Sequence, residues 1–176
     1  CAFDQPRYLS WFSGRRLTGS DAIAQSKIEF TYQPLFSIIV PLYKTPLNFF
    51  RDMADSVIAQ TYSNWELILV NSTPDYDGLS DLVSEYVDAD SRIKVTVLEG
   101  NLGITENTNV GIKMAKGEYL CFFDHDDVLE PNILFEYACA LNQNADINLL
   151  YCDEDKLLPD GSLAHPTFKP DFSLDM

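Results

Sequence analysis

An α/β domain, with a mostly parallel sheet flanked by helices, is predicted by three features of the sequence. Short runs rich in Val, Ile and aromatic residues recur along the chain, as in strands buried on both faces. Between them lie segments with apolar residues at helical spacing, each long enough for a crossover connection. Directly after each run stand turn-forming or acidic residues, where ligands gather in open parallel sheets.

The first 33 residues carry Tyr8, Trp11, Phe12, Arg15 and Arg16, and Ser20 stands where it could cap a helix over 21–30. They are expected to form a helical lead-in to a domain spanning 34–176. After Pro34, residues 36–42 (FSIIVPL) read as the first strand. Thr45 is placed as a cap and Pro46 as the opening residue of a helix whose Leu47, Phe50, Met53, Ala54, Val57 and Ile58 share one face. Residues 65–70 (WELILV) are the second strand, closed by turn formers at 71–75. A helix over 78–86 leads to a third strand at 93–98. A helix after 99–103 runs to Lys116, where Gly117 stops it, and 119–123 is the fourth strand. Pro131 opens a helix to Leu141, and 147–152 reads as a fifth strand. This alternation predicts parallel strands with right-handed connections, covered on both faces.

With 176 residues, 46% of them hydrophobic, the chain can build one globular domain. The net charge is −15, and residues 1–33 hold four Lys/Arg against three Asp/Glu, so the acidity lies downstream. That disfavours nucleic acid or an anionic membrane as partner. A phosphate-bearing ligand would then need helix N-termini or a recruited cation to offset repulsion. Cys1, Cys121, Cys139 and Cys152 lack CxxC spacing, and three lie in apolar runs, which reads as buried free thiols in a reducing compartment. No run of 18 apolar residues and no signal-peptide order are present, so a cytoplasmic location is expected. The chain opens on Cys and stops at FSLDM, and is expected to be a piece of a longer protein. Any association with the inner face of a membrane would come through regions outside it.

The segments 41–44, 71–75, 99–107 and 124–127 follow strands and should converge on one edge of the sheet. Asp124, Asp126 and Asp127 place three carboxylates within four residues, a repulsive arrangement that a divalent cation relieves. Two carboxylates with diphosphate oxygens and water complete an octahedral shell suited to Mg²⁺ or Mn²⁺. The plain alternative is an acidic loop capping the helix at Pro131. In strand-like geometry Asp124 and Asp126 share a side while His125 faces away, in a positioning or packing role. His165 reads as an ordinary loop residue. Asn101, Gly103, Asn107 and Asn109 are either turn and cap residues or donors facing ligand oxygens at a helix N-terminus. Asp153, Glu154 and Asp155 are a second acidic cluster, either a solvated turn or functional.

Taken together, these segments resemble the inverting family 2 glycosyltransferases of the GT-A, Rossmann-like nucleotide-diphospho-sugar transferase fold. Residues 37–43 (SIIVPLY) are similar to that family's opening strand, 56–62 (SVIAQTY) to its first-helix motif and 101–109 to its N-x-G…N segment. Residues 124–127 (DHDD) are similar to its DxD metal motif. Residues 151–156 (YCDEDK) and 168–173 (FKPDFS) are similar to bacterial members of the rhamnosyl or O-antigen type.

The resemblance implies that Pro41 and Tyr43 border the base, and that Asn71 stands where a base-contacting aspartate is usual. It further implies that Asn101, Gly103 and Asn109 line the nucleotide side, and that Asp124 and Asp126 contact ribose and metal with Asp127 nearby. Asn71 offers both donor and acceptor, which loosens the preference for uracil. The implied donor is a UDP-sugar first and a dTDP-sugar second, and the implied acceptor is a glycan or a lipid-linked saccharide. Transfer of a hexosyl group would proceed by in-line displacement with a carboxylate base on the acceptor side, where Asp153, Glu154 and Asp155 are candidates. Only 49 residues follow Asp127, so a truncated acceptor half is expected.

Two rival readings stand beside this one. Asp124-x-Asp126-x-Val128 also fits the nucleophile motif of haloacid-dehalogenase phosphatases, although that motif belongs to the first strand of its domain. The chain could also be a donor-binding module that is inactive in isolation.

Overall fold

The computed structural model describes residues 4–76 and 78–171. Its elements run α1 (Gln5–Ser13), α2 (Gly19–Gln25), β1 (Phe36–Leu42), α3 (Leu47–Ile58), β2 (Trp65–Asn71), α4 (Leu79–Ala89) and β3 (Ile93–Val97). They continue as α5 (Ile104–Met114), β4 (Tyr119–Phe122), α6 (Ile133–Gln143), β5 (Glu154–Leu157) and β6 (Leu163–Thr167). Two compact units result, one of Gly19–Ala145 and one of Cys1–Thr18 with Asp146–Met176. This division differs from the expected boundary between residues 33 and 34. Residues 19–33 belong with the sheet, where the Phe30 ring meets Tyr62 at 5.8 Å and Phe135 at 5.3 Å.

In the larger unit four parallel strands lie in the order β3-β2-β1-β4. Every residue of β1 and β2 is buried, as their largely apolar composition favours, and Ser37, Glu66 and Asn71 are buried with them. The edge strands are not covered in this way: Leu120 and Phe122 of β4 are 40% and 65% exposed. The strand that leads into Asp124 is therefore an edge strand, not the doubly covered one expected.

Several helix ends also differ. Thr45 does not cap α3; Pro46 occupies the N-cap without a side-chain bond, and the Thr45 hydroxyl is buried without a partner. It stands one residue too early to reach the first free N–H groups. Helix α2 ends at Gln25 with Ser20 inside it, and α6 begins at Ile133 behind Asn132. Helix α5 ends at Met114, so Gly117 is not its stop. A Cβ on Gly117 would lie 2.4 Å from the Leu35 carbonyl and 2.7 Å from Ser37 Oγ, so glycine is required there by space.

Close approach also explains Gly111, by which α5 lies against β1 and β2. An added Cβ would meet Ile39 Cγ2 at 2.5 Å and Val70 Cγ2 at 3.2 Å. Gly111→Ala is expected to destabilise the fold by about 1–3 kcal/mol, since both neighbours are held in the core. Urea unfolding would show this, and a gain in stability would contradict it.

The expected fifth strand at 147–152 does not form. Leu149 and Tyr151 of that run are exposed, and the only further pairing among the described residues is the antiparallel hairpin β5-β6 in the smaller unit. An apolar run lacks a strand when no neighbouring strand takes up its N–H and C=O groups. Cys152 is accordingly exposed, against expectation, while Cys121 and Cys139 are half-buried; all three are free thiols. Burial pushes the Cys121 thiol up to about 12. Cys1 lies outside the described residues. His165 belongs to β6 with a φ of +51°, not to a loop. Among the described residues no helix is long and apolar enough to cross a membrane.

Candidate functional site

From β1 the chain adds β2 and β3 on one side, and α5 then returns it to set β4 on the other side of β1. Strand order reverses between β1 and β4, and a crevice at their carboxyl ends follows from that reversal. A cleft of about 390 Å³ opens there. Ile39 and Pro41 of β1 form one wall, and Phe122, Phe123 and Asp124 another. Helix α5 supplies Ile104, Thr105, Thr108, Asn109 and Ile112. Pro41, Asn109 and Asp124, singled out in the sequence, are thus brought together. Thr105 and Thr108 were not singled out, although their helical spacing with Asn109 and Ile112 places all four on one face.

The acidic segment is a turn and not extended strand. The last sheet bond is Phe123 N–H to the Ile39 carbonyl at 3.2 Å, and Asp127 N–H donates to the Asp124 carbonyl at 3.3 Å. The strand-like alternation expected for Asp124, His125 and Asp126 therefore does not apply. The carboxylates of Asp124, Asp126 and Asp127 are exposed, and His125 is half-buried. Among the described residues no three His, Cys, Asp or Glu side chains converge as a metal group. The turn thus offers hard oxygen donors that fit Mg²⁺ or Mn²⁺ only with ligand oxygens and water completing the shell. That is how Mg²⁺ is commonly held, on one or two carboxylates plus phosphate.

Other predicted contacts are distributed differently. Tyr43 is exposed beyond β1 and outside the cleft lining, with the Lys44 ammonium 5.4 Å from its ring centre. Lys44 turns the chain at φ +49° and donates its N–H to Thr73 Oγ1 at 3.0 Å. Asn71 is buried, and its Oδ1 accepts the Thr73 N–H at 3.0 Å while its Nδ2 donates to Ser80 Oγ at 3.2 Å. Its amide shapes the 71–75 loop. Asn101 Oδ1 accepts from Gly103 N–H and from Asn107 Nδ2, both at 2.9 Å. Gly103 precedes α5 at φ +90°, a conformation that favours glycine. Asn101, Asn107 and Gly103 therefore build the entry to α5, which carries the threonines and Asn109 of the cleft.

In the smaller unit each acceptor-side candidate has a partner. Asp153 Oδ1 accepts the Lys169 N–H at 2.8 Å, and Asp155 accepts the Tyr8 hydroxyl. Glu154 pairs with the Lys169 ammonium at 2.9 Å, which holds its carboxyl below the ordinary value. Of residues 168–173, Phe172 and Ser173 lie outside the described residues.

The chain is 30% identical over 169 residues to the O-antigen biosynthesis protein RfbC of Myxococcus xanthus, covering 96% of this chain and 13% of that protein. It is 35% identical over 118 residues to the putative teichuronic acid biosynthesis glycosyltransferase TuaG of Bacillus subtilis, covering 63% of this chain and 46% of that one. Staphylococcus aureus TarS 1–349 in complex with UDP-GlcNAc superposes with a TM-score of 0.58 at 27% identity, over 62% of this chain and 32% of that one. The mannosyltransferase PcManGT from Pyrobaculum calidifontis, in complex with GDP-Man and Mn²⁺, gives 0.57 at 21% identity, over 73% and 39%. These neighbours share the GT-A fold. The chain thus spans well under half the length of RfbC and of either solved structure. The model of the family described as "Glycosyl transferase family 2" matches residues 37–156, and the chain belongs to that family.

Proposed function

We propose that Gly19–Ala145 is the donor site of a glycosyltransferase that acts in polysaccharide or cell-surface glycan synthesis. The observation that carries this reading is the position of Asp124 in the cleft at the strand reversal, beside Pro41 and Asn109. Pro41, Ile39 and Ile112 offer an apolar wall for a base, and Thr105, Thr108 and Asn109 offer hydrogen bonds to ribose or phosphate. Asp124 and Asp126, with Asp127 nearby, would hold Mg²⁺ or Mn²⁺ against the diphosphate. When bound, the cation offsets the charge of the departing nucleoside diphosphate.

The complexes of TarS with UDP-GlcNAc and of PcManGT with GDP-Man and Mn²⁺ support a nucleotide-sugar donor and a divalent metal. UDP-sugars come first and dTDP-sugars second as donors, with transfer of a hexosyl group to a glycan or lipid-linked acceptor. Asn71 is assigned to the loop and not to the base, since both ends of its amide are bonded within the protein. The general base stays unassigned: Asp153, Glu154 and Asp155 each already have a partner. A phosphoaspartate role for Asp124 is disfavoured, because Asp124 follows the fourth strand and not the first.

UDP at about 100 times its Kd, with Mn²⁺, should stabilise the native state by about 2.7 kcal/mol, or raise Tm by about 5–10 °C. Asp126→Ala should remove the metal-dependent part of that gain. Calorimetry with UDP, dTDP and GDP in turn would check it. Failure of all three to bind with Mn²⁺ would remove the donor-site reading. Binding without any transfer to an acceptor would favour a donor-binding module that is inactive in isolation.

A further inference from the structure

The C-terminal end of α3 is bonded to a stretch of backbone that has no secondary structure of its own. Residues 128–132, between the acidic turn and α6, belong to neither helix nor strand. Ser56 Oγ accepts the Leu129 N–H at 3.1 Å while donating to the Met53 carbonyl at 2.7 Å. Gln60 Nε2 donates to the Glu130 carbonyl at 2.9 Å and to the Ser56 carbonyl at 3.1 Å. Gln60 Oε1 accepts the Leu134 N–H at 3.2 Å, and Thr61 N–H donates to the Pro131 carbonyl at 2.8 Å. Ser56 and Gln60 are both buried, at 8% and 7% exposure.

Buried polar side chains are unfavourable unless bonded, and Ser56 in α3 and Gln60, two residues beyond its end, direct three of their five side-chain bonds to the chain between Leu129 and Leu134. The partners are backbone groups of Leu129 and Glu130 in the irregular segment and of Leu134 in the first turn of α6. That segment leads directly from the turn carrying Asp124 and Asp126. On its other side the turn is fixed by the bond from Phe123 N–H to the Ile39 carbonyl. The acidic turn is therefore held between the sheet and α3.

We propose that Ser56 and Gln60 are positioning residues for the acidic turn, acting as a latch that keeps the Asp124 and Asp126 carboxylates in cation-binding geometry. The proposal rests on the donor-site reading above. Carboxylates on a free loop must be ordered when the ion binds, and the latch removes that requirement in advance. The latch also accounts for Ser56 and Gln60 within SVIAQTY, a motif that contributes no residue to the cleft lining.

Two measurements on Ser56→Ala, Gln60→Leu and Ser56→Thr test this. Hydrogen exchange should quicken over 124–132 in the first two variants and stay slow in β1 and β2. Mn²⁺ affinity in the presence of UDP, read by electron paramagnetic resonance well below Tm, should fall about tenfold. UDP binding without metal should stay unchanged. Ser56→Thr keeps the hydroxyl and should restore Mn²⁺ affinity. Unchanged exchange over 124–132 overturns the latch whatever the nucleotide does. Faster exchange with wild-type Mn²⁺ affinity overturns the positioning role. If the wild-type chain binds Mn²⁺ with none of UDP, dTDP and GDP, the donor-site reading and the positioning role both fall, and the exchange data still report separately on the latch.

Discussion

Glu66→Ala is expected to destabilise the larger unit by about 3 kcal/mol, lowering Tm by about 6–12 °C. Glu66 sits near the start of β2, 4% exposed, within a strand whose other residues are mostly apolar. Its Oε1 accepts from Ser37 Oγ at 2.7 Å and from the Lys116 N–H at 2.6 Å, and its Oε2 accepts from the Lys94 ammonium. One carboxylate thus joins β1, β2, β3 and the segment leading into β4. Alanine would leave the Lys116 N–H and the Ser37 hydroxyl short of a partner in the interior. The figure is taken at the low end for a broken buried pair because the Lys94 side chain is 35% exposed and partly screened. Urea unfolding at neutral pH would check it, and a loss below about 1 kcal/mol would contradict it.

The same residue sets a pH dependence. Burial pushes the Glu66 carboxyl up, but the bonds from Lys94, Ser37 and the Lys116 N–H outweigh burial and hold it below its ordinary value. A carboxyl with a depressed folded-state pKa binds protons more readily when unfolded. Its contribution is complete above the ordinary range near about 4.3 and is lost as pH falls through the folded-state value. The wild-type chain should therefore lose stability on acidification more steeply than Glu66→Gln does over the same interval.

Gly117→Ala should produce a loss of similar size, about 3 kcal/mol. The added methyl would lie 2.4 Å from a backbone carbonyl, 2.7 Å from Ser37 Oγ and 2.9 Å from the Ser37 nitrogen. Backbone atoms cannot move aside as the end of a flexible side chain can. Gly117 N–H also donates to Ser37 Oγ at 2.8 Å, so the clash would disturb the Glu66 network as well. Combined with Glu66→Ala, it should be less than additive, since both variants disrupt the same contacts. Equilibrium unfolding of the double variant would show this.

Much of the fold was legible in the sequence because it rests on local pattern. The largely apolar runs at Phe36–Leu42 and Trp65–Asn71 became fully buried central strands, and the helical period from Leu47 to Ile58 became α3. Alternation of strand and crossover helix made the sheet parallel and set the carboxyl ends of the strands as the place to look. The acidic segment at 124–127 was legible on that basis, while the place of Asn109 followed from the family resemblance. A charge within WELILV was also visible, but its partners lie 28, 29 and 50 residues away and have no local signal.

Composition and periodicity determine where apolar surface must be buried, and so the sequence alone determined the central strands, the main helices and the place of the acidic segment after the fourth strand. Which strand stands at an edge, and which polar group satisfies which, depends on neighbours brought together only by folding. Tertiary structure therefore decided that β4 is exposed, that 147–152 is no strand and that Gly117 is required by space. It also decided that Asn71 is bonded to Ser80 and Thr73, and that Ser56 and Gln60 bond the backbone beyond Asp124 and Asp126. The physical reason is that a buried donor or acceptor must find a partner wherever the fold supplies one, and separation along the chain does not predict where that is.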